Sequence, residues 1–447
     1  MRRLRAILLF PLGLLWGLFA LLKRKCYVVL GLSQKPTIAT WVIGNLHAGG
    51  QGKTPTIIAL YNWLRIESTM PLEIAILSRG YGRKTKGYRR VTHLESAESV
   101  GDEPLEIYHA IKQNTGTIHT ENADQILNTE ASALSPLSRA NDTSQNNQSS
   151  VFVCEDRIQG ISNIQQTNPI VNMVLLDDGF QHLKLSALGN IVLTKYQEPF
   201  SQDMPLPAGN LREFPNASKN ADIILVTHSP NNLSLTDANK WKAKFNRQLG
   251  FWGVKAGSSK WINDIYFANY FTTAPIEQSS LKLYSTEGKR LCEGKKIILI
   301  TGIADARGIV NALHEYTIAH HFEYPDHHSF SINDFNTWSK KFNQTIKTNG
   351  VHSTSENEKV SEHVFVCTRK DYMRIMSLYK EVNLKHKSGK KSNVSDIVDP
   401  ENQNDHTNSI PTNISDLPFY VCHSEIEILF NEKHQLLNKI LTRKLND

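Results

Sequence analysis

Residues Val42 to Thr54 read Val-Ile-Gly-Asn-Leu-His-Ala-Gly-Gly-Gln-Gly-Lys-Thr, a β-branched run ending in a glycine-rich turn and a Gly-Lys-Thr. The backbone N–H groups of such a turn can curl around a phosphate. Lys53 then reaches the outer phosphates of a nucleotide, and the Thr54 hydroxyl reaches Mg²⁺. Ala48, Gly49, Gly50, Gln51 and Gly52 supply the cradle. Thr56 to Leu64 reads as a helix whose positive N-terminal end faces the same anion. His47 stands where the usual spacing has glycine, and Gly49-Gly50 sit inside the loop instead. Pro55 is tolerated because a helix's first turn has no N–H partner to lose. The bland alternative is a flexible turn with a chance Lys-Thr; the strand before it and the helix after it favour a nucleoside-triphosphate site.

A second candidate is Val171 to Leu176, an apolar run ending in Asp177-Asp178-Gly179-Phe180-Gln181-His182. A carboxylate at a strand end beside the loop threonine is what Mg²⁺ requires in P-loop enzymes. An Asp-Gly turn alone is common; the preceding P-loop gives this pair its metal reading. Gly101-Asp102-Glu103-Pro104 is less specific, because the same residues make a good helix start. Asp326-His327-His328 likewise suits a surface loop as well as a site. A zinc reading of His320, His321, His327 and His328 lacks a helix-spaced His-x-x-x-His pair.

Alternating strand and helix signals must position these residues. Thr40 to Ile43, Leu72 to Leu77, Val151 to Cys154, Val171 to Leu176, Ile191 to Leu193 and Ile223 to Thr227 read as buried strands, with a helix over Leu105 to Lys112. Ser78-Arg79-Gly80-Tyr81-Gly82 is a turn at a strand's carboxyl end, where open α/β sheets place their sites. The rhythm predicts an α/β, P-loop NTPase-like, mostly parallel sheet. Lys296 to Gly302 restarts it, with Ile309 to Tyr316 as helix and Val364 to Cys367 as strand, so a second, smaller α/β domain is expected. Expected boundaries are 1–25 for an N-terminal segment, 26–285 for the P-loop domain and 286–447 for the smaller one. The aromatic stretch Ile265 to Thr273 reads as an extended connector. Asn141 to Ser150 and Lys385 to Asn408 lack the apolar residues a core needs, which marks polar insertions at about 125–150 and 385–410.

The 447 residues are 40% hydrophobic and 21% charged, as in a globular chain of two or three domains. Five scattered cysteines without a C-x-x-C pair argue for buried thiols in a reducing compartment. The net charge of +7 is concentrated at the start, in Arg2, Arg3, Arg5, Lys23, Arg24 and Lys25, leaving no nucleic-acid footprint elsewhere. These residues flank the apolar run Ala6 to Leu22, which is short for a span and broken by Pro11, Gly13 and Gly17. Lys23-Arg24-Lys25 is the wrong ending for a cleaved signal. Basic flanks around leucine and aromatic residues fit an N-terminal membrane-associated helix lying in the interface, with the P-loop left in the cytosol.

Taken together the pieces resemble the tetraacyldisaccharide 4′-kinase family of lipid A biosynthesis. Its hallmarks are matched by Gly44-Asn45-Leu46 leading to Gly49-Gly50-Gln51-Gly52-Lys53-Thr54-Pro55, by Ser78-Arg79-Gly80-Tyr81-Gly82 and by Gly101-Asp102-Glu103-Pro104. They continue in Leu176 to His182, Leu206-Pro207-Ala208-Gly209-Asn210-Leu211-Arg212-Glu213, Thr301-Gly302-Ile303-Ala304 and Asp326-His327-His328. The resemblance implies transfer of the γ-phosphoryl of ATP to the 4′-hydroxyl of an acylated glucosamine disaccharide 1-phosphate, at the cytoplasmic face of the bacterial inner membrane. It implies that Lys53 and Thr54 contact phosphate and Mg²⁺, with Asp177 and Asp178 near the metal. It makes Asp102 the acceptor of the sugar hydroxyl's proton, supported by His327, and Glu103 and Arg212 contacts to metal, phosphate or substrate. One departure is Thr368-Arg369-Lys370-Asp371, where the family carries Thr-Glu-Lys-Asp. A partitioning-type ATPase is the nearest rival, but Ala48 occupies the place of its signature lysine. A GTPase would need Asn-Lys-x-Asp where Thr227-His228-Ser229-Pro230 stands.

Overall fold

The computed structural model describes residues 2–112, 150–254, 264–273, 275–277, 291, 295–303, 306–326, 328–348, 363–387 and 419–446. The polar insertions therefore lie outside the described residues, apart from Ser150 and the helix end at 385–387.

The strands in chain order are β1 (Ala39–Asn45), β2 (Ile74–Ser78), β3 (Arg89–Arg90), β4 (Val151–Val153), β5 (Met173–Asp177), β6 (Gly189–Lys195) and β7 (Ile223–Thr227). They continue as β8 (Ile265–Thr272), β9 (Ile276–Glu277), β10 (Lys296–Thr301), β11 (Thr317–Glu323), β12 (His363–Thr368), β13 (Phe419–Cys422) and β14 (Ser424–Ile428). Nine form one sheet in the order β14-β8-β7-β6-β1-β5-β2-β4-β3, and five form another in the order β11-β10-β12-β13-β9. The interior pairs are parallel; antiparallel pairing is confined to β14 on β8, β3 on β4 and β9 on β13.

Central strands of a parallel sheet are covered on both faces, so they carry continuous apolar runs. Their side chains still alternate. Trp41 and Ile43 pack with Ile57, Leu60, Tyr61 and Leu64 of the helix Lys53–Glu67, while Val42 and Leu46 join the opposite core with Ile161, Ile164, Phe245 and Leu249. The first of these cores continues into the second sheet through Ile298, Ile300, Phe365 and Trp338. The mixed α/β fold with a largely parallel sheet is thus as expected from the sequence.

Three features differ from the sequence-based expectations. Ile265–Thr272 is no connector: it is β8, parallel to β7 and antiparallel to β14. The chain end does not stay with the second sheet, where the 286–447 boundary put it. β14 returns to the first sheet, and the helix Lys433–Asn446 buries Leu436, Leu437 and Ile440 against the first sheet's core. Lys433 with Glu67 at 2.7 Å, Arg443 with Asp222 at 2.5 Å and Lys439 with Asp264 fasten it there. The helix expected over Ile309 to Tyr316 is instead Arg307–Ala312, and the chain turns over residues 313–316 before β11 begins at Thr317.

Two N-terminal helices, Arg2–Leu8 and Phe10–Val29, precede β1. The second carries Pro11 in its first turn and buries Gly13 and Gly17, one helical turn apart. A Cβ on Gly13 would lie 2.7 Å from Ala208 Cβ, and one on Gly17 would lie 2.4 Å from the Phe214 ring. The two glycines are therefore a docking face, while Leu12, Leu14, Leu15, Trp16, Leu18, Phe19 and Leu22 remain exposed. Among the described residues no helix is long and apolar enough to cross a membrane.

Candidate active site

The glycine-rich loop joins β1 to the helix Lys53–Glu67, at the carboxyl end of the first sheet. Its sharp turns fall on Gly49 (φ 112°) and Gly52 (φ 84°), backbone conformations that L side chains rarely adopt. That explains why His47 can stand where the usual pattern has glycine: its own φ is not positive. His47 is instead buried, with Nε2 3.4 Å from Asp203 Oδ2. Ala48 N–H is committed to the Asn210 carbonyl at 2.7 Å, so the open cradle runs from Gly49 to Thr54 and not from Ala48. Gln51 is buried in the loop, and nothing lies within 4 Å of a Cβ built on Gly49 or Gly50. The helix's first N–H groups have no intrahelical acceptor and face this space. Tyr270 of β8 braces the turn: its hydroxyl donates to the Gly52 carbonyl at 2.9 Å, and the His228 ring stacks on it at 4.8 Å.

Asp177 ends β5 next to β1, and Asp178 follows with φ 49°. The bend sends the two carboxylates to different partners. Asp178 lies 3.5 Å from Lys53 Nζ, and both its oxygens accept from Arg212 Nη1 at 3.0 Å. Burial alone would raise its pKa, but Lys53 and Arg212 together hold it below the ordinary carboxylate value. Asp177 is 2% exposed and accepts from Ser78 Oγ at 3.0 Å through Oδ2, whereas its buried Oδ1 has no hydrogen-bond partner. Burial, with Glu103 and Asp178 nearby, pushes its carboxyl up to about 7. An orphaned, desolvated oxygen amid negative charge fits a bound cation. Among the described residues no three His, Cys, Asp or Glu side chains converge as a preformed metal cage. Asp178 is turned to the two cations Lys53 and Arg212, while Glu103 and Asp178 both act on the Asp177 carboxyl. Mg²⁺ needs no such cage, since it is commonly held by one or two carboxylates, water and substrate phosphates.

Asp102 and Glu103 open a helix over 102–112. Gly80 and Gly101 allow this placement: their backbones touch, and a Cβ on Gly101 would lie 3.1 Å from Gly80 Cα. Asp102 Oδ1 accepts the Glu103 N–H at 3.0 Å, while Oδ2 accepts from Arg374 Nε at 3.2 Å and Nη2 at 2.5 Å. His327 lies outside the described residues. Its neighbour His328 stacks on Tyr324 at 4.4 Å and places Nε2 3.3 Å from Asp334, and Asp326 pairs with Lys370. His320 and His321 are consecutive on β11, where side chains alternate faces, and His321 bonds the Thr301 hydroxyl.

The segment Asp203 to Glu213 closes the site's other side and receives the N-terminal helix. Arg212 N–H donates to the Leu46 carbonyl at 2.8 Å, and Gln181 bridges Asn45 O and Glu213. Arg24 forks onto Glu213 at 2.8 and 3.1 Å, and Trp16 Nε1 donates to the Arg212 carbonyl at 2.9 Å. Sequence reasoning missed Ser78, Gln181, Glu213, Arg157, Tyr270 and Arg374. The first three sat inside quoted motifs without a role. Buried Arg157 faces Asp177 and Asp178 electrostatically but belongs to no motif.

The model of the family described as tetraacyldisaccharide-1-P 4′-kinase matches residues 5–130 and 143–394. A tetraacyldisaccharide 4′-kinase of Cytophaga hutchinsonii is 30% identical over 383 residues, 85% of this chain and 88% of that protein. One from Bacteroides fragilis is 30% identical over 357 residues, 78% of this chain and 81% of the relative. The crystal structure of LpxK from Aquifex aeolicus in complex with ATP shares the fold with a TM-score of 0.58 at 18% identity, covering 98% of this chain and 99% of that one. A family match over most of the sequence, and a relative 30% identical over 85% of it, establish that the chain belongs to the tetraacyldisaccharide 4′-kinase family.

Proposed function

We propose that this kinase performs its family's reaction with the side chains gathered at the carboxyl ends of β1 and β5. ATP gives up its γ-phosphoryl group to the 4′-hydroxyl of tetraacyldisaccharide 1-phosphate, yielding lipid IVA. The observation that carries the assignment of residues is the corner where Lys53 sits 3.5 Å from Asp178, beside the orphaned oxygen of Asp177. The loop from Gly49 to Thr54 holds the phosphates, and Lys53 and Arg212 offset the charge of the transferring group. Asp177 and Thr54 are the residues suited to hold Mg²⁺, with Glu103 and Asp178 beside them; the ion would neutralise phosphate charge. Phosphoryl transfer through a loose transition state depends chiefly on such positioning and charge.

The sugar alcohol must still lose a proton, and Asp102 takes that role in our reading, with His327 as its partner. The N-terminal segment, residues 1–25 in this division of the chain, lies on the cytoplasmic leaflet with its exposed leucine and aromatic face in the acyl boundary. Its protein-facing side grips the Asp203 to Glu213 segment, which brings the site to the lipid surface. The P-loop unit and the smaller unit around the second sheet face each other across Asp102.

The purified full-length protein, given ATP, Mg²⁺ and the acylated disaccharide 1-phosphate, should form the bisphosphorylated lipid. Phosphate release without that product would favour a partitioning-type ATPase instead. Lys53→Ala should abolish product, and Asp102→Ala should lower kcat by roughly 10²–10⁴-fold with little change in KM for ATP. Near-normal turnover of Asp102→Ala at saturating substrates would refute the base assignment.

A further inference from the structure

The helix Arg369–Lys387 springs directly from β12 of the second sheet. In its first turn Asp371 is fully buried; it accepts from Thr368 Oγ1 at 2.7 Å and returns its own N–H to that oxygen at 3.1 Å. One turn later Arg374, 8% exposed, donates Nη1 to the Gly302 carbonyl at 2.9 Å and to Asp371 Oδ1 at 3.2 Å. Those partners fix the plane of the guanidinium. Its other edge, Nε and Nη2, is presented to Asp102 Oδ2 on the first sheet's side. Gly302 leaves the room for this: a Cβ there would stand 3.1 Å from Asp371 Oδ1 and 3.6 Å from Arg374 Nη1. The same helix touches the segment ahead of Asp102 a second time, where Ala97 N–H donates to Ser377 Oγ at 3.3 Å.

We propose that Arg374 is a positioning residue of the phosphoryl transfer, whose guanidinium, oriented by Asp371 and Gly302, holds the Asp102 carboxylate aligned for the sugar hydroxyl. The proposal rests on Asp102 being the base. A planar fork fixes both the place and the rotation of a carboxylate, which a point charge does not. Alignment matters because a misplacement of about 1 Å can cost a hundredfold in rate.

The test is steady-state kinetics of the full-length enzyme, with ATP and the lipid substrate varied in turn in the presence of Mg²⁺, read beside thermal melts. Arg374→Gln should lower kcat by roughly 10–100-fold while KM for ATP and for the lipid stays within about twofold. Arg374→Lys should recover only part of that loss, because an ammonium keeps the carboxylate's place without fixing its rotation. A purely structural strut between the sheets would lower the melting temperature and leave kcat of the folded enzyme unchanged, and that result overturns the proposal. If Arg374→Gln does not fold, Arg374→Lys and Asp371→Asn decide, because unchanged kcat in both would overturn it equally. Asp102→Asn separates the two layers. An active Asp102→Asn removes the base reading and this inference with it, whereas an inactive one beside an unchanged Arg374→Gln kcat removes this inference alone.

Discussion

Asp177→Asn should abolish lipid phosphorylation yet stabilise the nucleotide-free fold, and the stabilisation should depend on pH. Asp177 is buried at the end of β5, with one oxygen bonded by Ser78 and the other bonded by nothing. Burial, then Glu103 and Asp178, push its carboxyl from an ordinary 3.8 to about 7. Between those values the folded protein holds a proton that the unfolded chain has released. Stability therefore falls as pH rises from about 4 to about 7 and levels off above that. Each unit is worth about 1.4 kcal/mol, so the whole displacement costs up to about 4 kcal/mol, of which about 2–3 kcal/mol accrues between pH 5 and 8. Asparagine has no charge to desolvate and can still accept from Ser78. Thermal melts of both proteins in EDTA, without nucleotide, at intervals from pH 5 to 8 measure the difference. The variant's advantage should widen steadily with pH, and adding Mg²⁺ and ATP should reverse it by stabilising only the wild type. A pH-independent offset would refute the reasoning, because it would mean that Asp177 ionises in the fold as easily as in water.

Tyr270→Phe removes the hydroxyl that braces the Gly52 carbonyl, while Thr56 Oγ1 keeps its own 2.7 Å bond to that oxygen. A neutral hydrogen bond is worth about 1 kcal/mol, so KM for ATP should rise about fivefold with kcat nearly unchanged; an ATP titration showing no rise would mean the loop holds its shape unaided. Arg24→Ala breaks the fork to the buried Glu213 and strips the cation from the Phe180 face 5.1 Å away. The loss should be about 2–3 kcal/mol, less than for a fully buried pair because Arg24 is partly in water. A melt lowered by several degrees, with activity on detergent-dispersed substrate reduced, is the expected result; an unaltered melting temperature would show that the N-terminal helix docks without it.

What could be read from the sequence follows from where each element sits. β1, β2, β5 and β7 are central or nearly so, and their uninterrupted apolar runs announced them. β11 and β14 were silent because they are sheet edges: Thr317–Glu323 is half exposed and carries two histidines, and Ser424–Ile428 buries only alternate residues. The site divides in the same way. Lys53, Asp177 and Asp178 sit next to the strand ends that announce them, so local pattern sufficed. Arg374 became visible only when helix Arg369–Lys387 was seen to meet residue 102 from another sheet. The departure at Thr368-Arg369-Lys370-Asp371 is clarified by that meeting. Arg369 has the acids Glu106 and Glu425 close to its charge. The contact with Asp102 runs through the motif's two flanks, Thr368 holding Asp371 and Asp371 holding Arg374. A glutamate-to-arginine exchange at 369 can therefore be balanced by acids on its own side, and the chain from Thr368 to Asp102 is left intact.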